Sequence, residues 1–303
     1  MKRRSAIKAI TLMAGAKVLN PFQYPIEYSM TRRVIPSSGE LLPVLGIGTW
    51  QTFDVGQDQD KKKELTSVLK KMNEMGGAVI DSSPMYGKSE EVVGDLTNQL
   101  SFSDEFFYAT KVWTTGKQSG INQMKRSFEL MRRKTMDLMQ IHNLVDWEVH
   151  MKTLKEWKEE GKIRYWGITH YTNASHKSLA TIIRKENPDF VQFNYAINDR
   201  HAEDHLLGVA KDHGTAVIIN RPFGGGGLFS WARNKLLPEW CKDHEIHSWA
   251  QFFLKYIIAH PAVTCVIPGT GKLEHAIDNL KAGYKVTEGQ EFQKKLLATF
   301  NSL

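Results

Sequence analysis

Short apolar runs recur along the chain at residues 44–48, 78–81, 106–112, 136–142, 165–168, 190–194, 216–220 and 264–267, each bounded by polar residues, glycine or proline. Runs this short and this uniformly apolar read as buried strands. The intervening stretches carry a helical period instead. Trp147, Met151, Leu154 and Trp157 recur at helix spacing and Gly161 follows as a stop. That aromatic stripe is read as a helix packing on a sheet rather than as a cofactor contact. Eight strand-like runs alternating with helices predict a parallel α/β fold. Ahead of them, Arg33-Val-Ile-Pro-Ser-Ser-Gly39-Glu-Leu-Leu-Pro has the pattern of a β-hairpin with its turn at Ser-Ser-Gly.

Length and composition narrow the architecture. At 303 residues the chain accommodates one large domain or two small ones, and a (β/α)8 barrel of about 250 residues fits it with short extensions. No Pro/Ser-rich linker, low-complexity tract or solenoid repeat interrupts it. The expected organisation is a leader over residues 1–32 and one barrel domain over 33–303, capped by the hairpin and finished by a C-terminal helix. Hydrophobic residues make up 41% of the chain, enough for a sizeable core without a membrane-spanning run. The formal charge is +7, but Lys2, Arg3, Arg4 and Lys8 fall within residues 1–16, which leaves +3 for the rest. So mild a surplus does not argue for a nucleic-acid partner.

Residues 1–16 themselves read as a targeting segment. A charged start, a modest apolar stretch and the Ala14-Gly15-Ala16 site follow the order of an export signal, and Arg3-Arg4 resembles a twin-arginine signal for folded proteins. Periplasmic or exported localisation is the expectation, with a short amphipathic tail on a cytoplasmic protein as the alternative. No cysteine follows the apolar stretch to accept a lipid. Cys241 and Cys265 match no metal spacing and are expected as free thiols, a single disulfide being the other reading.

The chemistry lies at the strand ends. Asp81, Tyr86, Lys111 and His142 sit at or just past the ends of three successive strand-like runs, which in a barrel brings them to the face where reacting groups gather. Taken singly, a histidine at a strand end is a satisfied structural residue and an aspartate there is a helix cap. Four proton-active groups converging suit carbonyl reduction, in which charge grows on oxygen and a proton must be supplied. A phenol with a pKa of about 10 is a reluctant donor. A lysine beside it is expected to lower that pKa, with an aspartate holding the lysine charged. Tyr86 then donates the proton, Lys111 tunes it, Asp81 anchors Lys111, and His142 orients the carbonyl.

These residues, with Leu45-Gly-Ile-Gly48-Thr49-Trp50, Asp81-Ser-Ser-Pro-Met-Tyr86-Gly, Ala109-Thr-Lys111-Val, Gln140-Ile-His142-Asn, Glu160-Gly-Lys-Ile-Arg164-Tyr-Trp-Gly167-Ile-Thr and Val266-Ile-Pro-Gly-Thr270, make the chain resemble the aldo-keto reductases over roughly residues 33 to 300. The resemblance implies a TIM barrel, the tetrad just described, and an NADP(H)-dependent reduction of a small carbonyl compound by a monomer. No metal is implied. A Rossmann fingerprint is absent, because Gly46-Ile-Gly48-Thr-Trp-Gln51 lacks its third glycine. The cofactor would instead be cradled where Pro268-Gly269-Thr270-Gly271-Lys272 opens a helix predicted over 273–282, whose free N–H groups attract phosphate. By resemblance, Pro268, Gly269, Thr270 and Lys272 hold the adenosine-side phosphate, and His275 and Asn279 the ribose and base. Gly48, Thr49 and Trp50 lie near the nicotinamide, with Gln192 on its carboxamide.

Two departures from that family stand out. Thr169-His170 replaces a common Ser-Asn, and Asn220 stands where relatives carry an aromatic ring that stacks on nicotinamide. Arg221 and Pro222 follow, with Arg221 positioned to reach phosphate. The run Gly224-Gly-Gly-Gly227 reads equally as a close approach to pyrophosphate or as a flexible loop folding over a cofactor. Trp50, Met85, Trp113 and Phe223 are the candidate substrate contacts and suggest an apolar or aromatic carbonyl. His201-Ala-Glu-Asp-His205 has two imidazoles one helical turn apart, read as a solvated face of the sixth crossover helix rather than a zinc site. Two other functions remain open: a Schiff-base aldolase using Lys111, and a non-catalytic nucleotide-binding or redox-sensing partner protein.

Overall fold

A computed structural model describes residues 29–303. The predicted export signal at residues 1–16 lies outside the described residues. Strands β1 (Arg32–Val34) and β2 (Leu41–Pro43) form the expected antiparallel hairpin, with Gly39 in the left-handed region at φ 80° in its turn. Eight parallel strands follow: β3 (Ile47–Gly48), β4 (Val79–Asp81), β5 (Phe107–Val112), β6 (Met136–His142), β7 (Ile163–Thr169), β8 (Phe190–Asn194), β9 (Ala216–Asn220) and β10 (Cys265–Val266). Their spatial order is the sequence order. Parallel bridges Leu45–Val266 and Gly48–Gly269 join the first to the last and bring the sheet round into a barrel.

Helices α1 (Gln59–Glu74), α2 (Ser89–Thr97), α3 (Lys117–Leu130), α4 (Trp147–Glu159), α5 (His176–Glu186) and α6 (Leu206–Asp212) connect the first seven barrel strands. Then come α7 (Gly227–Ala232) and α8 (Trp249–Ile258) before β10, and α9 (Leu273–Lys281) and α10 (Gln290–Ser302) after it. The helix read from Trp147 to Trp157 forms as α4, and Gly161 at φ 71° follows its end as the stop. α4 packs on β6 and β7 as read, and its Trp157 also meets Phe128 of α3 edge-on at 5.8 Å.

The strand ends differ from the sequence reading where pairing, not hydropathy, sets them. β3 and β10 are shorter than the apolar runs around them because the closing seam consists of single bridges. β7 starts earlier, at Ile163 opposite Met136, because Arg164 turns outward to pair with Asp137 at 2.7 Å and with Glu40. Residues 201–205 are turns preceding α6 rather than part of a crossover helix, since His201 bonds Asp199 and His205 takes a hydrogen bond from Arg184.

The core has two shells. One lies between barrel and helices, and the other fills the barrel, where Ile35 and Leu42 of the hairpin meet Val79, Phe107, Leu138 and Tyr165. The hairpin therefore plugs the bottom of the barrel and leaves its carboxyl end free. Burying each such aliphatic side chain contributes about 1.5–3 kcal/mol. Arg33 locks the plug by donating to the carbonyls of Ile258, His260 and Val263 and pairing with Glu288. From there α10 docks through Phe292 and Leu296, with Gln293 donating to the Tyr256 carbonyl at 2.9 Å. Cys241 and Cys265 are free and buried.

Two glycines test this packing. A Cβ on Gly167 of β7 would lie 2.8 Å from the Phe190 carbonyl oxygen, whereas one on Gly208 of α6 would meet nothing within 4 Å. Gly167→Ala is expected to cost about 1–3 kcal/mol of stability, and Gly208→Ala to add about 0.5–1 kcal/mol. Urea unfolding midpoints moving in opposite directions meet this expectation. Midpoints that move together contradict it.

Candidate active site

The barrel strands deliver one polar cluster to their carboxyl ends. Lys111 ends the inward series Phe107, Ala109, Lys111 on β5, and its register partner Gln140 lies two residues before His142 on β6. Asp81, Lys111, Gln140 and Gln192 are all buried, Lys111 and Gln140 completely. Lys111 Nζ donates to Asp81 Oδ2 at 2.6 Å and to the Ser82 carbonyl at 2.6 Å. Asp81 Oδ1 accepts from Gln140 Nε2 at 3.0 Å and from Gln192 Nε2 at 2.9 Å. Both carboxylate oxygens are thus satisfied, as a charge held out of water requires.

Tyr86 enters from the turn after β4, where its N–H donates to the Ser83 carbonyl at 3.0 Å. The Lys111 ammonium lies 5.1 Å from the centroid of its ring. His142 stands edge-on to the same ring at 5.8 Å, and its Nδ1 is 3.0 Å from Ser83 Oγ. Thr49 braces the turn, donating from Oγ1 to Ser82 Oγ at 2.9 Å. The four proton-active residues named from the sequence therefore come together.

Their electrostatics correct one expectation. Burial raises the Tyr86 pKa, and this outweighs the lowering by Lys111, with Asp81 adding to the rise. The resting phenol is held protonated rather than acidified. Burial pushes the Lys111 ammonium down, but Asp81 and then Tyr86 outweigh it, so Lys111 titrates above the ordinary lysine range. His142 is pushed down to about 3, first by burial and then by Lys111 and His170. At neutral pH the cluster is a neutral phenol, a neutral imidazole and a closed ion pair.

The remaining predicted residues divide into two groups. Trp50, Met85 and Trp113 are exposed, and Trp113 lies 6.4 Å from His142. Gln192, expected on a carboxamide, has its amide engaged with Asp81 and its oxygen with Thr169 at 3.2 Å and Asn220 at 3.4 Å. Asn220 also donates to the His170 carbonyl, and its own Oδ1 is buried without a partner. Gly48 bridges Gly269 across the seam.

Phe223, expected at the substrate, packs on Phe229 at 4.8 Å and lines a groove of about 350 Å³ with Trp249, Gly269, Thr270, His275 and Asn279. At one end of that groove α9 begins as predicted at Leu273. Lys272 at its N-cap is exposed, and no side chain caps the helix. On either side of Phe223, Arg221 at φ 51° and Gly224, Gly225 and Gly226 at φ 58°, 66° and 94° build a tight left-handed turn after β9, with Pro222 buried inside it. Arg221 lies over the Tyr171 ring at 5.7 Å. Among the described residues no cluster of three or more His, Cys, Asp or Glu could hold a metal.

Sequence reasoning missed Gln140, Ser83 and Tyr171. Gln140 was legible, because period two on a strand puts it on the same side as His142. Ser83 had no such signal, since its hydroxyl reaches His142 across 59 residues.

A barrel with a buried lysine–aspartate pair, a tyrosine and a histidine at its carboxyl end defines a class of oxidoreductase site. The chain matches the Aldo/keto reductase family over residues 44–294 and belongs to that family. It is 27% identical over 259 residues to the methylglyoxal reductase YeaE of Escherichia coli, covering 82% of this chain and 89% of that protein. It is 24% identical over 290 residues to the oxidoreductase YqkF of Bacillus subtilis, covering 84% and 91%. An aldo-keto reductase from Klebsiella pneumoniae, solved in complex with NADPH, superposes with a TM-score of 0.73 at 23% identity, covering 89% of this chain and 96% of that one.

The depressed His142 pKa has a definite sign. In the unfolded chain His142 takes up its proton near 6.5, and in the folded protein only near 3. Below 6.5 the unfolded state binds the extra proton, so acidification from 6.5 toward 3 removes stability. His142→Gln is expected to lose less stability than wild type over that window. Identical pH–stability curves for the two proteins contradict it.

Proposed function

We propose that the protein is an NADPH-dependent reductase of small aldehydes or ketones, with Tyr86 as the proton donor. The observation that carries this reading is the Lys111 ammonium, fixed by Asp81 and set against the Tyr86 ring beside a neutral His142. Bound NADPH supplies the hydride. His142 orients the carbonyl oxygen by hydrogen bond, Tyr86 gives its proton to that oxygen, and Lys111 stabilises the phenolate left behind. Because burial keeps the phenol protonated at rest, the proton leaves only when negative charge develops on the substrate.

The residues fit the cofactor. The groove beside α9 offers uncapped helix N–H groups and the Lys272 cation for phosphate, His275 and Asn279 for ribose and base, and aromatic walls from Phe223 and Trp249. The buried unpartnered Asn220 Oδ1 suits an amide N–H where relatives stack a ring. The structural neighbour bound to NADPH supports the same cofactor. Trp50, Met85 and Trp113 favour an apolar or aromatic carbonyl, and the methylglyoxal reductase relatives add a small dicarbonyl to the candidates. A Schiff-base aldolase fits less well, because Lys111 is fully buried and held charged, whereas imine formation needs a free amine. The intact tetrad likewise speaks against a non-catalytic partner.

Oxidation of NADPH across a panel of aldehydes, ketones and methylglyoxal tests the reading. Tyr86→Phe is expected to lower turnover by roughly two to four orders of magnitude. Wild-type turnover in that variant rejects Tyr86 as donor. Lys272→Ala is expected to weaken NADPH about tenfold while leaving NADH unchanged, the lower end for a charge-assisted contact made by a point charge. An unchanged preference in dissociation constants removes Lys272 from that role.

The Arg3-Arg4 pair, in residues outside those described, supports export through a twin-arginine route, with periplasmic localisation. Fractionation of wild type beside Arg3→Lys, Arg4→Lys is expected to show processed exported protein only for wild type. Equal uncleaved cytoplasmic protein in both contradicts the proposal.

A further inference from the structure

The reductase reading leaves open which ring nitrogen of His142 carries the proton. A neutral imidazole bears one N–H, and only the nitrogen that carries it can donate to a carbonyl oxygen. The partner at Nδ1 decides the matter. Ser83 Oγ lies 3.0 Å from His142 Nδ1 and is completely buried, with His142 itself 5% exposed. The Met85 N–H points at the same oxygen at 3.4 Å, using its lone-pair side.

Among the described residues the Ser83 hydroxyl has no other polar partner. If Nδ1 carried the proton, it would donate to Ser83 Oγ, and the buried Ser83 O–H would then have no acceptor. If Nδ1 is bare, the Ser83 O–H donates to it, the Met85 N–H donates to Ser83 Oγ, and every group in the chain is satisfied. Buried polar groups are left unmade only at a cost, so the second arrangement prevails.

Resting on the reductase reading, we propose that Ser83 is a positioning residue that locks His142 in its Nε2–H tautomer, so that the ring presents a donor rather than a lone pair to the carbonyl oxygen. Ser83 touches neither substrate nor cofactor and acts only through His142. The turn that carries Tyr86 therefore also sets the histidine: Ser83 takes Met85 N–H through its hydroxyl and Tyr86 N–H through its carbonyl. One segment positions both groups that meet the substrate oxygen.

Long-range proton–nitrogen NMR of the nitrogen-labelled full chain reads the tautomer directly, without cofactor or substrate. Wild type is expected to show a protonated Nε2 and a bare Nδ1 for His142, assigned with His142→Gln. Ser83→Ala is expected to shift both nitrogens toward averaged values and to lower kcat about tenfold with little change in KM, the scale of one buried hydrogen bond. Ser83→Cys, which keeps the volume but donates weakly, should fall between, which a mere packing role would not produce. A wild-type His142 protonated on Nδ1 overturns the proposal, as does a folded Ser83→Ala with unchanged ring signals. If no carbonyl is reduced by wild type, the reductase reading fails while the ring-nitrogen signals still decide for or against Ser83.

Discussion

The buried ion pair between Lys111 and Asp81 is the constraint on which the rest of the site depends. Taking both charges out of water costs several kcal/mol per ion, and their attraction offsets this only when the remaining hydrogen-bonding capacity is used. Here it is used: Asp81 accepts from Lys111, Gln140 and Gln192, and Lys111 donates also to the Ser82 carbonyl. Removing either ion leaves the other unpaired in the barrel. The pair thus fixes the ammonium in one place, and that place is against the Tyr86 ring.

Parallel register makes such a constellation possible. Asp81 pairs with Ala109, Lys111 with Gln140, and Thr169 with Gln192, so five neighbouring strands bring their side chains to the carboxyl end of the barrel. The hairpin fills the opposite end with Ile35 and Leu42, and binding is left to the carboxyl face. Burial then sorts the protonation states. It keeps Tyr86 and His142 neutral, while Asp81 keeps Lys111 charged.

Much of this was legible in the sequence, for identifiable reasons. Eight apolar runs fixed the strands because parallel strands are buried on both faces. β8 and β9 fall at residues 190–194 and 216–220 as read from hydropathy. The tetrad was legible because each member sits at a strand end or in the turn after it. Quantities set by three-dimensional surroundings were not. The Tyr86 pKa moves opposite to the pairwise expectation, because desolvation has no signature in a motif. Phe223 lines the groove near α9 after a left-handed turn at Arg221, and a positive φ at a non-glycine residue has no signature in hydropathy. Ser83 became visible only when its hydroxyl met a histidine from another strand.

The central claim is that Lys111 acts through Tyr86 and not independently of it. A double-mutant cycle on kcat for NADPH-dependent carbonyl reduction, with Lys111→Met, Tyr86→Phe and the two combined, measures this most directly. If the lysine serves the phenol, its loss matters little once the phenolic hydroxyl is gone, and the combined variant turns over at about the rate of Tyr86→Phe alone. Losses that multiply in the combined variant would contradict the account.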